Sequence, residues 1–161
     1  MKEREAETKI EAILKQNGNN ANPTFCVAML KNGSTVKIEG DIGEFSDTLK
    51  ECDFAWINFQ VDDLQEDGKK VASKLGFNPA LVEELAKQRF SGYEDYTTEL
   101  GLLLPAVRVR ELEVQIHKLI ILMKNNIIVT IHGENITRLV KFARYAVTFF
   151  KKVPKNLDDV D

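Results

Sequence analysis

Phe25–Phe59 reads FCVAMLKNGSTVKIEGDIGEFSDTLKECDFAWINF, and this stretch decides the fold class. Two β-rich runs, Phe25–Lys31 and Thr35–Glu39, flank Asn32-Gly33. Both positions of that dipeptide tolerate positive φ, so the runs are expected to close as a hairpin. Asp41 to Cys52 suggests a short helix. Phe54–Phe59 is a continuous apolar run suited to a strand buried on both faces. A hairpin followed by a helix and then a buried strand fits neither a purely parallel nor a purely antiparallel sheet. It predicts a mixed one.

Working outward, Leu64, Val71, Ala72 and Leu75 fall on one face of a first helix. Gly76 is placed to end that helix, and Asn78-Pro79 to cap and start a second one, PALVEELAKQ, packing through Leu81, Val82 and Leu85. Thr97 to Val107 alternates as a strand through Leu100, Leu102 and Leu104. Val114–Met123 and Ile127–His132 flank Lys124-Asn125-Asn126 and pair as a second hairpin. Ile136–Lys152 is a helix with apolar Leu139, Phe142, Ala143, Ala146, Phe149 and Phe150, closed by Pro154. The order β-β-α-β-α-α-β-β-β-α defines an α/β (α+β) fold, a mixed parallel/antiparallel sheet covered by helices on both faces in αβα layers. Residues 1–22 read as an N-terminal appendage and linker: a charged helix with Ile10, Ile13 and Leu14 on one side, then turn-forming residues through Pro23. Residues 23–161 form a single domain.

Composition narrows the function. The chain has 161 residues, 43% apolar and 29% charged, with a net charge of −3. That is an ordinary globular mix, and no basic face for nucleic acid is visible. Cys26 and Cys52 are far apart without a partner motif, which argues against a disulfide scaffold or a zinc ribbon. The N-terminus lacks a signal-peptide core. No run of about 18 apolar residues is present to span a bilayer; the longest candidate, Leu100–Val109, is interrupted by Pro105 and Arg108. These residues form no ion pore of their own.

Catalytic chemistry has no positive signature. There is no nucleophile elbow, no phosphate-binding glycine loop and no cysteine in a pKa-lowering context, so no catalytic or cofactor-binding residues are assigned. His117 and His132 lie on opposite strands of the second hairpin with only Glu134 nearby as a further ligand, and are expected to be satisfied edge-strand histidines. Carboxylates remain: Asp62/Asp63/Glu66/Asp67, Glu83/Glu84, Glu94/Asp95, Glu111/Glu113 and Asp158/Asp159/Asp161. Most are expected on solvated faces. Adjacent helical residues point about 100° apart, so Glu83 and Glu84 cannot both aim at one distant partner.

Four stretches, in this order, resemble the CorA family of divalent-cation transporters. FAWINFQ (54–60) is similar to the family's buried strand with a Trp element. KLGFNPALVEEL (74–85) is similar to its Gly-x-His-Pro start of an acidic helix. KQRFSGYEDYTTELGLLL (87–104) resembles its loop leading to an apolar strand. VQIHKLIILMKNNIIVTIHGE (114–134) resembles its Lys-Asn hairpin. Asn78 stands where the family has His, Phe90-Ser91-Gly92 replaces a Pro-Lys element, and Glu83-Glu84 replaces Glu-Asp. The resemblance spans Phe25 to Phe150. It implies a cytosolic regulatory domain, cut before the stalk helix, two transmembrane helices and Gly-Met-Asn signature of a homopentameric transporter in the inner (plasma) membrane. It further implies Mg2+, or Co2+, as the bound and transported ion. By position Glu84 corresponds to the inter-subunit metal carboxylate and Glu83 to its neighbour in a second site, with partner acids on the stalk. A zinc-transporting relative and a free-standing soluble module binding a ligand or partner protein are the alternatives. An enzyme is not expected.

Overall fold

The computed structural model describes residues 24–133 and 136–152; the expected appendage 1–22, Glu134, Pro154 and the acidic tail lie outside them. Seven strands make one sheet: β1 (Phe25–Leu30), β2 (Thr35–Glu39), β3 (Cys52–Gln60), β4 (Gly92–Asp95), β5 (Leu100–Arg110), β6 (Glu113–Lys124) and β7 (Ile127–His132). Their spatial order is β2-β1-β3-β7-β6-β5-β4. β3 and β7 pair in parallel, and the other described neighbours are antiparallel, so the sheet is mixed as expected. The helices are α1 (Ile42–Lys50), α2 (Glu66–Lys74), α3 (Pro79–Lys87) and α4 (Thr137–Phe150).

Alternation along the strands sorts side chains into two cores. On one face Cys26, Ala28, Ile57, Phe59, Leu103, Ile120, Leu122, Val129 and Ile131 pack with Phe45 of α1, Val71 and Ala72 of α2, and Leu81, Val82 and Leu85 of α3. On the other, Phe25, Val27 and Trp56 pack with Ala143 and Ala146 of α4. Helices therefore cover both faces. β3 is buried on both sides at its centre, which is why its run is continuously apolar. Its one polar core residue, Asn58, belongs to a closed network. The indole of Trp56 donates to Thr130 Oγ1 at 3.0 Å, and the Thr130 hydroxyl lies 2.6 Å from Asn58 Oδ1.

Several sequence expectations shift. The first hairpin is joined by a four-residue loop in which only Gly33 takes positive φ (81°); Asn32 instead accepts from the backbone and hydroxyl of Ser34 through its side chain. A short edge strand, β4, precedes the strand expected at Thr97, which begins at Leu100. GYED carries no apolar alternation, so pairing with β5 alone defines it. β5 then continues through Val109 to Arg110 and turns through Glu111-Leu112 into β6, making a two-stranded ribbon that projects past β4 and β7. On α4, Phe142 and Phe149 are about half exposed and stack on one another at 5.6 Å, because the helix lies over β1 and β2 rather than across the sheet.

Candidate metal site on the outer face of α3

α3 is positioned by its N-terminal junction. Gly76 adopts φ 79°, closing α2, and the Phe77 amide donates back to Ala72 O. The Asn78 side chain caps α3 by accepting from the Ala80 amide at 3.0 Å, so Asn performs at 78 the capping that helix starts commonly require. A second anchor comes from the sheet. Glu99 Oε2 accepts from the Asn78 amide at 2.7 Å, and Lys124 Nζ donates to Glu99 Oε1 at 2.8 Å and Gly76 O at 2.6 Å. Burial alone would raise the Glu99 pKa; the Lys124 ammonium and the Asn78 amide outweigh it, and the net shift is downward. Sequence reasoning missed this clamp because residues 78, 99 and 124 meet only through the sheet.

With Leu81, Val82 and Leu85 turned to the core, Glu83, Glu84 and Lys87 face outward. Lys87 Nζ lies 3.1 Å from Glu83 and 3.4 Å from Glu84, reaching back to both carboxylates from i+4 and i+3. The two acids thus share a near partner on their own helix. All three side chains are about half exposed, so the pairing is weak and solvent-screened. Lys87 holds the Glu83 carboxyl below its usual range, with Lys69 of α2 adding to the effect.

Four other acidic groups are occupied by local structure. Asp63 accepts from the amides of Gln65 and Glu66, Glu66 and Asp67 pair with Lys69 and Lys70, and Asp95 accepts from the Thr97 amide. Among the described residues no three His, Cys, Asp or Glu side chains converge into a metal-sized cluster. Glu83 and Glu84 therefore present a one-sided carboxylate surface, not a closed cage. Cys26 is fully buried with its thiol pushed up to about 12 by desolvation, which removes it as a nucleophile.

The histidines differ from expectation. β7 is an interior strand, not an edge, whereas His117 lies where β6 runs past β7 with β5 alone paired to it. His132 is fully buried, and the Nε2 atoms of both His117 and His132 lack hydrogen-bond partners among the described residues.

The architecture recurs in the soluble parts of cation transporters. The complete CorA magnesium transporter from Methanocaldococcus jannaschii superposes with a TM-score of 0.56 at 19% identity, covering 78% of this chain and 37% of that one. The soluble domain of the same CorA gives 0.52 at 19% identity, covering 78% and 46%. The ZntB cytoplasmic domain from Vibrio parahaemolyticus gives 0.52 at 12% identity, covering 79% and 50%. This chain spans half or less of the length of each, and at these identities the likeness is one of fold. No curated protein matches by sequence. The family model described as CorA-like Mg2+ transporter protein matches residues 51–159. The chain belongs to that family. None of the described helices is long and apolar enough to cross a membrane.

Proposed function

We propose that this chain is the cytosolic metal-sensing domain of a CorA-like magnesium transporter, with cobalt as the alternative cargo. The observation that carries the reading is the outward-facing Glu83-Glu84 pair, which serves no core contact and is paired with the exposed Lys87, with Lys69 of α2 adding a more distant positive charge. Mg2+ favours oxygen ligands and is commonly held by one or two carboxylates plus water. An ion placed between α3 of one copy and acids of a neighbour would displace Lys87 and join the copies. Without the ion, facing carboxylates repel and the assembly loosens, so the ion shifts the population by binding one state better than the other. In this reading the whole protein is a homopentamer in the plasma membrane, this domain lies on its cytoplasmic side, and its role is regulation of transport rather than catalysis. The isolated chain holds half a site and binds Mg2+ weakly.

The test is Mg2+-dependent protease protection of the full-length protein in membranes, comparing wild type with Glu84→Ala and Glu83→Ala. The midpoint for Glu84→Ala is expected to rise by roughly fivefold to a hundredfold, the usual range of site-to-site coupling. An unchanged midpoint in both variants rejects the sensing role of α3.

A further inference from the structure

The chain has two histidines, and the fold brings both to the sheet face opposite α3. His132 pairs with Leu119 across β6 and β7. Ile120 and Leu122 point toward α3, so His117 and Leu119 point away. Thr130, on the same face as His132, takes its hydrogen bond from Trp56 on the α4 side. His117 is thus the diagonal neighbour of His132, a relation that places Cβ atoms roughly 6–8 Å apart and long side chains within reach.

The tautomer of His132 is fixed by its surroundings. Its Nδ1 lies 2.6 Å from the Gly133 carbonyl, which only accepts, so Nδ1 carries the proton and Nε2 the lone pair. That lone pair is buried without a partner among the described residues, and so is Nε2 of His117. A buried polar atom without a protein partner is costly and calls for an explanation, such as an ordered water, an ion or a function. A carbonyl on one imidazole nitrogen and an open lone pair on the other is the arrangement that metal-binding histidines use. Burial also holds the His132 pKa below its ordinary value, which favours the neutral ring.

We propose that His117 and His132 form a two-nitrogen site for a borderline divalent cation such as Zn2+, Co2+ or Ni2+, with water completing the coordination. Imidazole suits these ions, whereas Mg2+ prefers oxygen and parts reluctantly with its water. The site differs from the Glu83-Glu84 surface in donor chemistry and lies on the other side of the sheet. It stands or falls independently of sensing by α3.

The experiment uses the untagged 161-residue chain, since a polyhistidine tag would supply competing ligands. Thermal unfolding is followed with ZnCl2, with and without excess MgCl2, for wild type, His117→Gln, His132→Gln, the double variant and Glu84→Ala. At about a hundred times its dissociation constant, Zn2+ should raise Tm by about 5–10 °C in wild type and Glu84→Ala, undiminished by Mg2+. Each histidine variant should lose most of that rise, and the double variant should lose no more than either single one, because a chelate fails when one arm is removed. His117→Gln, at the half-buried position, carries the test if His132→Gln does not fold. Imidazole 15N spectra of wild type add a second readout: Zn2+ should shift both Nε2 resonances. A Zn2+ response equal in wild type and His117→Gln, or Nε2 resonances unmoved by saturating Zn2+, overturns the proposal.

Discussion

Gly101 on β5 is the position where one methyl group should move the acidic helix. A Cβ built there would lie 2.7 Å from Leu85 Cδ1, 3.3 Å from Leu81 Cδ2 and 3.7 Å from Leu122 Cδ2. Carbon atoms at rest sit about 3.5–4.0 Å apart, so the overlap with Leu85 is close to 1 Å. Leu85 has little room to yield. It is fully buried, and a Cβ at Gly92 on the neighbouring strand would meet its other methyl at 3.2 Å. The side chain sits in a notch made by two glycines, and through it α3 is seated on the sheet. Overpacking of this kind costs about 1–3 kcal/mol. Against it, Gly→Ala lowers the entropy of the unfolded chain by the equivalent of about 0.4–1 kcal/mol. The steric term wins at the middle of both ranges, leaving Gly101→Ala destabilised by about 1.3 kcal/mol and its Tm lower by about 3–5 °C. Urea unfolding followed by circular dichroism and by Trp56 fluorescence reads the difference. Gly43 in α1 is the control, because a Cβ there meets nothing within 4 Å apart from its chain neighbours and the backbone of its own helix. Gly43→Ala should be stabilising by about 0.5–1 kcal/mol. Shortening the clashing side chain should partly rescue the fold, so Gly101→Ala with Leu85→Val should fall short of additivity by at least about 0.5 kcal/mol. A Gly101→Ala protein as stable as wild type, or strictly additive with Leu85→Val, would refute the notch.

Two further outcomes follow from the same structure. Thr97 holds φ 67°, a left-handed conformation that β-branched residues adopt at a cost. Its amide bond to Asp95 Oδ1 uses only backbone on its side, so Thr97→Gly keeps that bond and should gain about 1 kcal/mol in denaturant unfolding; a loss of stability would contradict it. Glu99 has a folded pKa below its ordinary value of 4.5. Its contribution is therefore complete above about pH 4.5 and is lost as pH falls through the lower folded value. Glu99→Gln should flatten the pH dependence of Tm in that acid window, and equal acid slopes in the two proteins would exclude the Lys124 clamp.

Element identity was legible in this sequence because local chemistry and burial agreed. The apolar run Phe54–Phe59 became the central strand, and Asn78-Pro79 became the cap and first residue of α3. Leu81, Val82 and Leu85 turned inward at the predicted spacing, which left Glu83 and Glu84 outside. The edge strand GYED was not legible, since only hydrogen bonding to β5 makes it a strand. The expectation of an edge histidine failed at position 132 because strand order is a long-range property: β7 inserts between β3 and β6, and so encloses His132.

The sequence by itself determined the mixed α/β plan, the acidic α3 surface and the CorA resemblance, all of which rest on residue types at short spacings. Tertiary structure alone decided three things. It joined Gly76, Asn78, Glu99 and Lys124 into one clamp, set Leu85 into the glycine notch, and brought to one face two imidazoles whose Nε2 atoms have no partner among the described residues. Each depends on which strands become neighbours and in what register. Those choices are set by burying both faces of the sheet at once, a condition that no local window of sequence contains.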